Sequence, residues 1–228
     1  MFTAPHAFVL LGATLVGSTF LILGPAAPLT IPFDEAEIFV EYNATDEDAE
    51  VVVSVDADMG LERFRIVNPL GKQILDLRSK HTKDIGTRKI DLETPEPSLG
   101  TVLAAYPEGR YLFLGKSTNG VSLLSEVWLT HDLPAAPEIT YPLDGATGVP
   151  LDGASATWTA GPDADSFFVE LEQEELGEDI QSNCAGDTSS FGFPAGWLEP
   201  LTEYQLGVGA RAENGNLTVV EIHFTTGR

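Results

Sequence analysis

Two oxygen-rich knots are the residues of this chain whose types and spacing most suggest chemistry. Asn43-Ala-Thr-Asp-Glu-Asp48 sets side-chain oxygens at alternating positions, and Asp56-Ala-Asp-Met-Gly60 follows one strand later. Calcium takes roughly six to eight oxygen ligands, so Asn43, Asp46, Asp48, Asp56 and Asp58 are the candidate calcium ligands of a hairpin carrying both knots. Neither segment matches the Asp-x-[Asp/Asn]-x-[Asp/Asn]-Gly loop, which needs a third ligand before its Gly. The competing reading is that Asn and Asp hold turns here, their side chains bonding nearby backbone.

Other reactive groups are sparse or scattered. Arg78-Ser-Lys-His-Thr-Lys-Asp-Ile-Gly-Thr-Arg-Lys89 gathers five of the 12 bases between two strands and reads as an exposed hairpin tip. The four histidines, His6, His81, His131 and His223, lie far apart. Cys184 is the only cysteine, so the chain holds no internal disulfide and the thiol reads as a small, partly buried hydrophobe. The sequence contains no Gly-x-Ser-x-Gly elbow, no His-Glu-x-x-His, no phosphate-binding Gly-x-x-x-x-Gly-Lys and no Cys/His metal spacing. Carboxylates are so abundant that choosing any pair of them as an acid and a base carries no information. A non-enzymatic chain is the expectation. Asn43-Ala-Thr and Asn216-Leu-Thr fit the glycan acceptor pattern.

Charge excludes whole classes of partner. The chain has 35 acids against 12 bases, for a net charge of −23. Phosphate recognition needs stripes of Lys and Arg, so nucleic acid and anionic lipid surfaces are excluded. The imbalance is uneven: residues 34–136 hold 19 acids and 10 bases, residues 137–228 hold 16 and 2, and residues 1–33 hold none.

That uncharged start is apolar from Ala7 to Gly24, and Gly24-Pro-Ala-Ala27 supplies small residues for cleavage after Ala26. Residues 1–26 therefore read as an export signal. No Lys or Arg precedes the apolar run, which leaves open an uncleaved N-terminal anchor or a buried helix. Membrane contact is expected only if the segment stays uncleaved.

The elements that must position any site are strands. Leu198-Glu-Pro-Leu-Thr-Glu-Tyr204 leads into an alternating run in which Tyr204, Leu206, Val208 and Ala210 share one face. A tyrosine placed there packs its ring into the core while its hydroxyl bonds backbone a few residues upstream. Upstream, Ile139 opens a first strand, Ala154 to Thr159 carries Trp158 as a core aromatic, and Ser166 to Glu172 buries Phe167, Val169 and Leu171. Ile180 to Asn183 reads as a short edge strand, Asn214-Gly-Asn216 as a tight turn, and Val219 to Thr225 as a last strand burying Val220, Ile222 and Phe224. The Leu-x-Pro-x-Thr-x-Tyr corner and its strand resemble the fibronectin type III family. The resemblance spans Pro137 to the C-terminus and implies a seven-strand sandwich that binds or spaces rather than catalyses.

Leu133 to Pro142 contains three prolines and reads as a semi-rigid hinge, with a boundary near Ala136. Before it, strand-like runs recur at Ile38–Tyr42, Val51–Val55, Leu61–Val67, Gln73–Leu77, Arg88–Leu92, Val102–Tyr106, Tyr111–Leu114 and Val121–Thr130. Asn68-Pro-Leu-Gly71 supplies a type I turn, and Pro107-Glu-Gly-Arg-Tyr111 a turn into a strand. The fold class is all-β: an immunoglobulin-like sandwich over 30–133 and a fibronectin type III-like sandwich over 137–228. The expected role is a binding or structural module that is secreted, periplasmic or on the cell surface, with a protein or an extracellular polymer as partner. The alternative is a carbohydrate-binding or accessory part of a secreted hydrolase system. That would need an exposed aromatic platform, for which Trp197 is the candidate ring.

Overall fold

The computed structural model describes residues 30–79, 85–159, 161–173 and 175–228. The expected export segment lies outside them. Among the described residues no helix is long and apolar enough to cross a membrane. The elements are β1 (Thr30–Ile31), β2 (Glu35–Asn43), β3 (Asp48–Val67), β4 (Gln73–Arg78), β5 (Thr87–Glu93), α1 (Leu99–Ala105), β6 (Gly109–Ser117), β7 (Ser122–Leu129), β8 (Glu138–Tyr141), β9 (Ala146–Val149), β10 (Ser155–Thr159), β11 (Ser166–Gln173), β12 (Glu178–Ala185), β13 (Ser190–Gly192), β14 (Glu203–Arg211) and β15 (Leu217–Thr226). The molecule is nearly all-β.

The N-terminal half is organised by β3. Its first part pairs with β2 and β5, and its second part with β4 and β6. Inward residues alternate through Val51, Val53, Val55 and Ala57, keep that phase to Leu61, and change phase before Phe64 and Ile66. The pairing registers shift over the same stretch. The strand thus bends from one layer into the other, and both layers close on one apolar cluster that includes Val40, Phe64, Tyr111 and Phe113. Asp56 to Gly60, expected to be a loop between two strands, lies inside this single strand. A Cβ on Gly60 would sit 1.4 Å from the Ile85 carbonyl oxygen, so glycine there lets the bent strand pass a neighbouring backbone rather than end in a turn.

Two further expectations are corrected in this half. Val102 to Tyr106 is not a strand but part of α1. Leu99, Val102, Leu103 and Tyr106 follow helical spacing, and all four pack on the N-terminal core. The basic segment is not a hairpin tip either. Both β4 and β5 run antiparallel to β3, so the two strands that flank the segment do not pair with each other as a hairpin, and residues 80–84 lie outside the described residues. The Asn68 turn is as expected, with the Gly71 N–H bonding the Asn68 carbonyl at 2.9 Å and Gly71 at φ 75°.

In the C-terminal half, β13-β10-β8 form one sheet and β15-β14-β11-β12 lie in the other. Phe167, Val169 and Leu171 from β11, Tyr204, Leu206 and Val208 from β14, and Trp158 from β10 fill the cluster between them. Tyr204 makes the corner read from the sequence: its ring is buried, and the Glu199 N–H donates to its hydroxyl at 2.8 Å. β12 runs eight residues, longer than the short edge strand expected.

The two halves share a sheet. The start of β15 pairs in parallel with the end of β2, Leu217 beside Glu41 and Val219 beside Asn43. The pairing continues from β1 at one end to β12 at the other. A hinge at the proline-rich segment was the expectation; here that segment is fastened. The Thr218 hydroxyl donates to the Pro134 carbonyl at 2.9 Å, and the Asn216 amide reaches the carbonyls of Thr130 and Asp132 at 2.9 and 3.0 Å.

Candidate functional site

One set of polar ties where the halves meet comes from the β14–β15 turn. Asn216 is 1% exposed. Its side-chain oxygen accepts the Val40 N–H at 2.9 Å while its NH2 group holds the two carbonyls of the 130–132 segment. The Asn214 NH2 donates to the Thr130 hydroxyl and the Asp132 carbonyl, both at 2.8 Å. Sequence reading found only a tight turn at Asn214-Gly-Asn216, because its hydrogen-bond partners lie more than 80 residues upstream. Nor can Asn216 serve as a glycan acceptor while folded, since its amide is enclosed and in use.

Asn43 does two jobs at the same seam. Its side-chain oxygen accepts the N–H groups of Thr45 and Asp46, as a turn-forming Asn does, and its NH2 donates to Glu221 on β15 at 2.8 Å. The Thr45 hydroxyl and the Glu221 backbone also exchange bonds, at 2.8 and 3.2 Å. Asn43, Asp46 and Asp48, with Glu41, Glu50, Glu96 and Glu221, line a recess of about 200 Å3.

The structure does not bring the five candidate calcium ligands together. Asn43 pairs with Asp48 at one end of the β2–β3 ladder, and Glu35 with Asp56 at the other. Eight residues of strand separate Asp48 from Asp56, a span of roughly 27 Å. Asp56 and Asp58 instead face Arg88, at 3.1 and 3.6 Å. Among the described residues no group of three or more His, Cys, Asp or Glu is arranged to hold a metal ion.

The seam is electrostatically loaded. Burial pushes the Glu41 carboxyl up to about 7, opposed by nearby Arg211 and helped by Glu93, Glu170 and Glu221. Glu50 is likewise pushed up to about 7, first by burial and then by Glu41 and Glu93. Arg211 lies 4.7 Å over the Phe39 ring, so an arginine from the C-terminal half also packs on an aromatic of the N-terminal half.

A second surface has the opposite charge. Glu62, Arg63, Arg65, Arg78, Leu114 and Lys116 line a groove of about 750 Å3 on the outer face of β4, β3 and β6. Arg63 holds Asp76 through two bonds, at 2.7 and 2.6 Å, which draws that carboxyl down to about 2. Of the tryptophans, Trp158 is buried, and Trp197 leans on Tyr204 with ring centroids 5.3 Å apart. The exposed ring is Trp128, at 65%, not Trp197. Cys184 is half-buried against the C-terminal core, and His223 is exposed on the outer face of β15. The His131 ring meets the Tyr106 carbonyl at 2.8 Å, and His6 and His81 lie outside the described residues.

No family model and no curated protein matches the chain. Similar solved structures include fibronectin type III modules. The fibronectin(III)-like modules of Clostridium thermocellum CbhA match over 85% of this chain and 94% of theirs, at 11% identity and a TM-score of 0.33. A two-domain fibronectin type-III segment of chicken tenascin matches over 84% and 98%, at 12% identity and TM-score 0.32. A tetra-tandem repeat from the extending region of a large adhesion protein matches over 84% of this chain and 49% of its own, at 10% identity and TM-score 0.28. The sandwich form of the C-terminal half is given by its own strand pairing and buried core.

Proposed function

We propose that this chain is an exported, non-enzymatic binding or structural module acting at the cell envelope or outside the cell. It is built of two β-sandwich units, residues 30–133 and 137–228, the first immunoglobulin-like and the second fibronectin type III-like. The observation that supports this reading is the seam. A buried asparagine, a strand pairing and a fastened linker fix two sandwiches relative to one another. That rigidity holds two distant surfaces, one cationic and one acidic, at a set separation and angle, as a spacer or assembly unit needs. Partners are then proteins or extracellular polymers that meet those surfaces. Fractionation of the source cells tests the reading: the chain belongs in the periplasm, the medium or on the surface, and its recovery in the cytoplasm would overturn it. Trp128 favours a second reading, a carbohydrate-binding accessory, because its exposed ring stands on a strand of the sheet opposite Arg110. Retention of the chain on a neutral polysaccharide, lost in Trp128→Ala, would decide for it.

A further inference from the structure

The outer face of β4, β3, β6 and β7 forms a lattice whose rows follow from the pairing registers. Arg78, Arg63 and Lys116 stand side by side across three strands, and Asp76, Arg65, Leu114 and Leu124 form the next row. Neighbouring strands are about 4.8 Å apart, so three cations occupy a line about 10 Å long with Asp76 as the nearest counter-charge. Like charges directly opposite on a sheet destabilise it. In a chain with 35 acids and 12 bases, carboxylates for those positions were plentiful, yet three cations stand in line. Asp76 offsets part of this charge, bonding Arg63 at 2.6 Å and meeting Arg78 at 3.6 Å, but four cations against Asp76 and Glu62 leave the groove net positive, a surface complementary to an acidic partner.

The complement lies at the far end of the same molecule. Residues 170–179 read Glu-Leu-Glu-Gln-Glu-Glu-Leu-Gly-Glu-Asp, six acids in ten positions, and span the β11–β12 hairpin at the outermost edge of the shared sheet. At the end of the hairpin, buried Gln173 accepts the Leu176 N–H through its side chain at 2.6 Å and the Gly177 N–H through its carbonyl at 3.0 Å. Leu176 stands out from that tip, 66% exposed, among Glu172, Glu175, Glu178 and Asp179. An acidic hairpin end with one apolar knob, Leu176 held by its N–H to Gln173, matches a cationic groove lined in part by Leu114.

We propose that the β11–β12 tip of one copy docks into the Arg63–Arg65–Arg78–Lys116 groove of a second copy. This inference rests on the module reading above and names its partner. The contact joins two different surfaces, so repetition builds open chains or rings rather than a closed dimer.

Sedimentation velocity on the full chain tests it, with paired charge reversals. Wild-type chains assemble as concentration rises in about 0.05 M salt and disperse by about 0.5 M, where screening is nearly complete at contact range. Variant Arg65→Glu/Lys116→Glu and variant Glu175→Lys/Glu178→Lys each remain monomeric alone. Mixed, they assemble, because both new contacts again join opposite charges. Circular dichroism checks that each variant is folded, and Leu176→Ser supplies an uncharged weakening of the same contact. The proposal is overturned if wild type is monomeric at every concentration, if either reversal leaves assembly intact, or if the mixture stays dispersed. Monomeric wild type that binds polygalacturonate through Arg65 and Lys116 would give the groove to an acidic polysaccharide, leaving the module reading standing.

Discussion

The two halves solve one problem with opposite hydrogen bonds. In each, a fully buried tyrosine near the start of a strand ties its hydroxyl to the connection that precedes it. Tyr204 accepts, from the Glu199 N–H at 2.8 Å, whereas Tyr111 donates, to the Pro107 carbonyl at 3.0 Å. Burial pushes the Tyr111 phenol up to about 12, in keeping with a proton that has to stay on the oxygen. Tyr204 pins a corner within a sandwich whose pairings are local, and Tyr111 anchors a sheet wound around one bent strand. The corner is therefore not a mark of one fold. In this chain it occurs twice, each time where a strand starts against a buried core.

The largest expected effect breaks the link between the halves. Asn216→Ala strands the Val40 N–H and the Thr130 carbonyl, while the Asp132 carbonyl keeps its bond from Asn214, and each buried group left unpaired costs about 1–3 kcal/mol. A loss of about 3 kcal/mol is expected, with calorimetry resolving two transitions as the halves melt apart.

The corners come next. Tyr204→Phe leaves the Glu199 N–H without its partner, for an expected loss of about 2 kcal/mol, and Tyr111→Phe costs about 1 kcal/mol because a carbonyl with two lone pairs is easier to satisfy. Urea unfolding of both variants sharpens the comparison. Equal losses would show that the direction of the bond is immaterial.

The seam also sets a pH dependence. Glu41 and Glu50 have folded values near 7, above the ordinary value of 4.5, so between those limits the native state binds more protons than the unfolded one. Stability from these groups is therefore full below about 4.5 and lost as pH rises through about 7. The melting temperature should fall over that window, and Glu41→Gln should flatten the fall. A curve unchanged by that substitution would place the titration elsewhere.

The smallest effect separates two neighbours on β14. A Cβ at Gly207 meets nothing nearer than 3.8 Å, whereas one at Gly209 would lie 2.7 Å from Leu217. Gly207→Ala should stabilise by about 0.5 kcal/mol through reduced backbone freedom, and Gly209→Ala should not.

Local signals in the sequence were legible and distant ones were not. Alternation exposed β11, β14 and Trp158, and the Leu-x-Pro-x-Thr-x-Tyr spacing gave the corner, because each depends on residues a few positions apart. The bend in β3 was misread as a turn. Asp56 to Gly60 has turn composition, and only the passing Ile85 backbone explains Gly60. Two turns of α1 were taken for a strand because Val102, Leu103 and Tyr106 also suit one. The seam was invisible, since Asn216 and Val40 are 176 positions apart, and a proline-rich linker reads as a hinge until its tethers are seen. Trp128 lies on an outward strand position like any other, so its exposure needed the sheet.

Amide hydrogen exchange at Ala44 and Val40 tests the central claim most directly. The Ala44 N–H bonds the Val219 carbonyl at 2.8 Å and the Val40 N–H bonds Asn216 at 2.9 Å, so both report on the joined sheet. If the halves form one body, both amides exchange as slowly as those in the middle of β14, and Asn216→Ala releases them together. Exchange at the rate of an open turn in the wild-type chain would mean that the two sandwiches move independently.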